Sequence, residues 1–126
     1  MSQIVVLKKF EDSIVNFLDA LVEQFPNEED FHLMKIIIST KQIPVTIIVE
    51  KFIEIIYPNK QMIKNRDEKF FLNNESIFSG VSVNKVNHFK KLWMSEYFYD
   101  SDKESLWNWF DLFISLCDSY IKYSNK

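Results

Sequence analysis

The stretch Ser101-Asp102-Lys103-Glu104-Ser105-Leu106-Trp107-Asn108-Trp109-Phe110, continuing to Tyr120, decides the fold. Ser101 and Glu104 have the S-x-x-E spacing of a capping box and stand directly before an apolar run. Leu106, Trp109, Phe110, Phe113, Leu116, Cys117 and Tyr120 then recur at threes and fours, one face of a long helix. Trp107, Ile114 and Ile121 form a second row at spacing seven, about 100° round from the Leu106–Phe113–Tyr120 row. Together the rows make an apolar face too wide for a helix packed on one side only. The sequence therefore predicts a central, wholly buried helix or one that shares a face with a partner.

Outward from that helix, the same period runs through most of the chain. Val6, Phe10, Ile14, Phe17, Leu18, Leu21 and Phe25 mark a helix over 3–25, stopped at Pro26, which lacks an amide hydrogen. Asn27 is suited to cap the next, with Glu28, Glu29 and Asp30 at the positive end of its dipole and apolar residues from Phe31 to Ile38. Pro44 suits the first turn of a third helix, 44–57. Its β-branched Thr46-Ile47-Ile48-Val49 also has strand character, while Ile48, Phe52, Ile55 and Ile56 keep helical spacing. Short helical turns are expected over 59–66, with Met62 and Ile63 inward, and after Asp67. A loop is expected over 73–82, and a further helix over 83–94. The fold class is all-α: a compact bundle of about five to seven helices in a single domain, 1–126.

Composition agrees. The chain has 126 residues and 47% hydrophobic side chains, enough for a core, and one glycine, Gly80. Hairpin turns and phosphate-cradling loops both draw on glycine, so its scarcity disfavours a many-stranded sheet and glycine-rich nucleotide sites. The single cysteine, Cys117, has no internal disulfide partner. No basic-then-apolar leader opens the chain, and no run approaches the ~18 apolar residues of a membrane span. The expectation is a protein that is neither secreted nor in a membrane.

Aromatic order in the second half carries a resemblance. Glu68-Lys69-Phe70-Phe71, Asn73-Asn74-Glu75-Ser76-Ile77-Phe78, Phe89-Lys90-Lys91-Leu92-Trp93 and Leu106-Trp107-Asn108-Trp109-Phe110 follow one another, and the first helix ends in Phe25-Pro26. This order is similar to that in a family of small helical proteins of nucleocytoplasmic large DNA viruses, the giant viruses. The chain departs from that pattern at Gly80-Val81-Ser82, where family members tend to carry a Leu-Pro-Gly-like loop. The resemblance implies a viral origin, a compact helical fold, and a place in host cytoplasm, viral factory or virion. It implies no reaction, because its motifs are aromatic anchors.

No catalytic or cofactor constellation emerges. His32, His88 and Cys117 lack the spacing of zinc ligands, and Cys117 sits on an apolar stripe, where a thiol packs as a small hydrophobe. Glu28-Glu29-Asp30 reads as first-turn charge, since adjacent helical residues diverge and no calcium-loop pattern follows. Two surfaces remain as candidates. Twelve phenylalanines, five tyrosines and three tryptophans exceed what a chain of this size must bury. Tyr97, Tyr99, Trp107, Ile114 and Ile121 are the expected anchors for another protein or a second copy. The net charge is −3, yet residues 59–92 carry seven basic and three acidic side chains. Lys60, Lys64, Arg66, Lys90 and Lys91 are the alternative, phosphate-contacting set, with Phe70, Phe71 and Trp93 near enough in sequence to stack on bases. A third expectation is a host-interacting regulator, whose mark would be an exposed apolar groove for an amphipathic helix. A non-enzymatic interaction or assembly protein is the favoured reading, with no metal, cofactor or small-molecule substrate.

Overall fold

A computed structural model describes residues 2–74 and 82–124. The described residues are all-α. Five helices have eleven residues or more: α1 (Gln3–Gln24), α2 (Glu29–Ser39), α3 (Val45–Ile55), α6 (Val83–Trp93) and α7 (Asp100–Ser124). Two five-residue helices, α4 (Lys60–Lys64) and α5 (Glu68–Leu72), stand between α3 and α6, and a 3-10 turn at Tyr57–Asn59 links α3 to α4. Most of the loop expected over 73–82, including Gly80, lies outside the described residues.

Each helix has a local cause. Ser2 caps α1 by accepting from the Val5 amide at 3.3 Å, and Val6, Phe10, Ile14 and Leu18, four apart, are its buried stripe. Asp67 caps α5 through the Phe70 amide, and Ser82 caps α6 through the Lys85 amide. The β-branched run 46–49 is helical, because Val49 goes into the core only if the 3.6 period is kept. The start of α2 differs from expectation: Glu28, not Asn27, is the cap residue, and its side chain makes no cap bond.

The start of α7 differs too. Ser101 lies inside the helix, and the residue before it is Tyr99, whose carbonyl accepts from the Asp102 and Lys103 amides. Asp102 reaches back to the Tyr99 amide at 2.9 Å, closing half of a capping box two residues earlier than the Ser101–Glu104 reading. Glu104 instead meets Arg66. Phe98, buried beneath this corner, packs on Phe25 and Trp93 and orients the entry to α7.

With one glycine in the sequence, the left-handed positions that end helices go elsewhere. Lys41 (φ 58°) follows α2 and Arg66 (φ 54°) follows α4. Both ends are Schellman motifs. Gln42 bonds to Ile37 and Lys41 to Ile38 after α2, and Asp67 bonds to Met62 and Arg66 to Ile63 after α4.

The core has two joined parts. Ile56, Met62, Ile63, Phe71, Leu72, Trp93, Phe98, Leu106 and Trp107 form one; Phe10, Ile14, Leu18, Val49, Phe113 and Cys117 form the other. Phe17, Leu21, Phe52 and Phe110 pack against both. α7 supplies residues to each part and packs on α1, α3 and α4, so it is central. It is not wholly buried: Glu104, Ser105, Asn108, Asp111, Leu112, Ser115 and Asp118 face out.

Candidate functional site

The structure divides the expected anchor set. Tyr97 and Tyr99 are exposed, at 70% and 65%. Trp107 is not at the surface. Only 4% of it is accessible, and its ring meets Phe71 at 5.3 Å and Trp93 at 5.4 Å between centroids. Trp107 therefore faces α5 and α6 and is covered from within, which corrects it as a partner anchor. Ile114 is half-buried against the same core, and Ile121 is half-buried near the end of α7. The Tyr97-Phe98-Tyr99 cluster likewise splits, with its middle ring in the core and the outer two outside.

The basic set divides as well. Arg66 is removed from it. Its guanidinium bonds both oxygens of Asp111 at 3.1 and 2.8 Å, Asn108 at 3.2 Å, Glu104 at 3.4 Å and the Ile63 carbonyl at 3.0 Å. The bond to Asp111 raises its pKa above the ordinary value. It ties the α4 end to α7 and is not free for phosphate. The Lys60 ammonium lies 4.1 Å from the centre of the Tyr57 ring, and its bond to Tyr57 raises its pKa. Lys64 and Lys91 are exposed and Lys90 is half-buried. Of the aromatics considered for base stacking, Phe71 and Trp93 are in the core and Phe70 alone is half-exposed, at 52%.

The thiol and the two imidazoles are apart in function. His32 pairs with the Pro26 carbonyl at 2.8 Å and His88 with Glu28 at 2.7 Å. Cys117 is 1% exposed, and burial pushes its thiol up to about 12. Among the described residues no three His, Cys, Asp or Glu side chains gather as a metal site would need. No described helix is long and apolar enough to cross a membrane.

The surface that sequence reasoning missed is on α2. This helix lies against α1, yet none of its residues is fully buried. Leu33, Met34 and Ile36 are exposed at 54%, 49% and 55%. Between α2 and α6 runs a groove of about 570 Å³, walled by Phe31, Leu33, Met34 and Ile37 on one side and Phe89 and Leu92 on the other. Two polar ties join its walls: His88 to Glu28, and Lys85 to Asp30 at 3.4 Å. The signal was present in Ile36-Ile37-Ile38, which places apolar residues on more than one side of a helix, as on α7. Helical spacing alone does not say which of those sides meets α1. Compared with protein-family models, with curated proteins and with solved structures, this chain matches none.

Proposed function

We propose that the protein is a non-enzymatic interaction or assembly component that binds another protein by taking an apolar helix face into the α2–α6 groove. The supporting observation is α2 itself. Three large aliphatic side chains stand about half out of water on a helix that buries no residue completely. Apolar surface of this kind beside a groove marks a place where another chain gains by covering it. The groove is also the feature expected of a helical regulator that captures amphipathic segments. On the resemblance to giant-virus proteins, the setting we assign is host cytoplasm, viral factory or virion.

The test is capture by the tagged protein from infected cells, with nuclease and high-salt washes, repeated with Leu33→Glu plus Met34→Glu, both on the groove wall. Both side chains are half-exposed, so the charges should leave the melting temperature nearly unchanged. The expected result is a protein partner that survives nuclease and salt and is lost with the double variant. No retained partner and no self-association at micromolar concentration sinks the proposal.

A second reading, nucleic-acid association, draws on Phe70, half-exposed and adjacent in sequence to the exposed Lys69. It requires capture that nuclease or salt abolishes, and that falls when Lys60, Lys64, Lys90 and Lys91 become glutamate. The engagement of Arg66 with Asp111 takes the one arginine of the chain out of that surface.

A further inference from the structure

The seam between the second half of α1 and the first half of α7 does not close. Phe17 and Leu21 face Leu106 and Trp109 across it, and a cleft of about 430 Å³ is left open where α1 has only Ala20. Its apolar lining is aromatic at both ends, with Phe17 and Trp109 5.8 Å apart at one and the buried Phe98 at the other. Its polar lining is Glu23, Gln24, Asp102 and Ser105, with no cationic side chain.

Elsewhere on α1 the acids are paired: Asp12 with Lys8, Asp19 with Lys35, Glu11 with Lys41. Glu23 and Asp102 make no ion pair among the described residues. Asp102 accepts only neutral donors, the Tyr99 amide at 2.9 Å and the Gln24 side chain at 3.4 Å. The nearest lysine in sequence, Lys103, is turned away to Glu68 at 3.2 Å. The segment leading to α7 adds Glu96, and the first residue of α7 is Asp100, with no cation between them. A cleft with apolar and aromatic walls and two carboxylates at its edge is complementary to a cation carried on an apolar stem. Of the two basic side chains, arginine fits better. Its planar head lies on aromatic faces and forks to carboxylates, while its methylenes cover apolar surface.

The mouth is larger than one side chain. Tyr97 and Tyr99 are exposed, and their backbones are fastened to the cleft: the Tyr97 carbonyl accepts from Gln24 at 3.3 Å and the Tyr99 amide donates to Asp102. Tyrosines so placed contact the residues on either side of an inserted side chain. We propose that the α1–α7 cleft is a docking site for an arginine presented by a segment of a partner protein, with Glu23 and Asp102 holding the guanidinium and Tyr97 and Tyr99 contacting the flanking peptide. This site is separate from the α2–α6 groove and does not depend on it.

The test uses the full chain labelled with nitrogen-15 and three probes: acetyl-Gly-Arg-Gly-amide, its citrulline counterpart, and methylguanidine. Citrulline keeps the shape of arginine and removes the charge. The expected result is that the arginine peptide shifts the Trp109 indole N–H and the Gln24 side-chain amide and saturates at millimolar concentration. The citrulline peptide and the Glu23→Gln variant should each bind about three- to fivefold more weakly. Ala20→Trp, which fills the cleft from an exposed position, should abolish the shifts while leaving the rest of the spectrum in place. Leu33→Glu should have no effect. Equal binding of the citrulline peptide, or shifts that survive Ala20→Trp, overturns the proposal. Binding of methylguanidine as tight as that of the peptide overturns the assignment to a protein segment.

Discussion

Arg66 shows how one side chain is taken from a candidate interface by its neighbours. It sits in the left-handed region because α4 must end there and no glycine is available. From that position its guanidinium reaches three side chains on successive turns of α7, Glu104, Asn108 and Asp111. Arg66→Ala should cost about 1–2 kcal/mol for the fork, discounted for its partial exposure, and nothing for the backbone, because arginine already bears the positive-φ cost that any Cβ brings. Arg66→Gly should lose the fork but relieve roughly 1 kcal/mol of that backbone cost. Urea unfolding of the two variants separates the terms, and equal stability of both would show that the backbone conformation carries no cost.

Cys117 makes a pH prediction of definite sign. Burial, and secondarily the Asp118 charge, moves its thiol from the ordinary 9.0 to about 12. Above pH 9 the unfolded thiol loses its proton while the folded one keeps it, so the folded state binds more protons and stability falls as pH rises. The contribution is complete below pH 9 and disappears progressively toward 12. The stability advantage of the wild type over Cys117→Ala should therefore shrink by about 1 kcal/mol between pH 8 and pH 10. The comparison cancels the tyrosines and lysines that titrate in the same range. The native thiol should also resist alkylation at pH 8 and react at once in denaturant. Fast labelling of the folded protein would contradict this burial.

At the scale of the element, α7 explains why aromatic excess and partner surface are different things. Its apolar residues are used inside the molecule: Leu106 and Trp107 in one part of the core, Phe113 and Cys117 in the other, and Phe110 against both. Trp107, Phe71 and Trp93 form a ring cluster, and the Trp93 indole N–H is bonded to Glu68, so even its polar atom is satisfied. Trp107→Ala should cost about 3–5 kcal/mol and abolish any binding only through unfolding. Tyr97→Ala should leave the urea midpoint within experimental error. A Trp107→Ala protein as stable as the wild type would place that ring outside the core.

α2 is the opposite case. Its apolar residues are fewer and less sharply gathered on one face than those of α3, and α3 buries Val49 while α2 buries nothing completely. The weaker stripe and the position of the helix act together. α3 is held between α1, α7 and the 3-10 turn, while α2 lies on α1 with the α6 side left as a groove.

For the molecule as a whole, length, apolar period, proline stops and scarce glycine were enough to make an all-α fold legible, with α1, α3 and α7 close to their expected ranges. These are local properties: a side chain four residues on returns to the same helix face whatever the rest of the chain does. The caps were less legible, because several residues near a helix start are able to bond an orphan amide; Asp102 does so where Ser101 and Glu104 were expected. The surface was least legible of all. Trp107 and Tyr97 are both aromatic residues with a polar atom, and nothing local separates the buried one from the exposed one. The aromatic residues and the helices were thus determined by the sequence alone. Which aromatics face water, which cations are already paired, and where two helices leave a groove or a cleft were decided only in the tertiary structure, because burial and charge pairing depend on residues that are distant in the chain and adjacent in space.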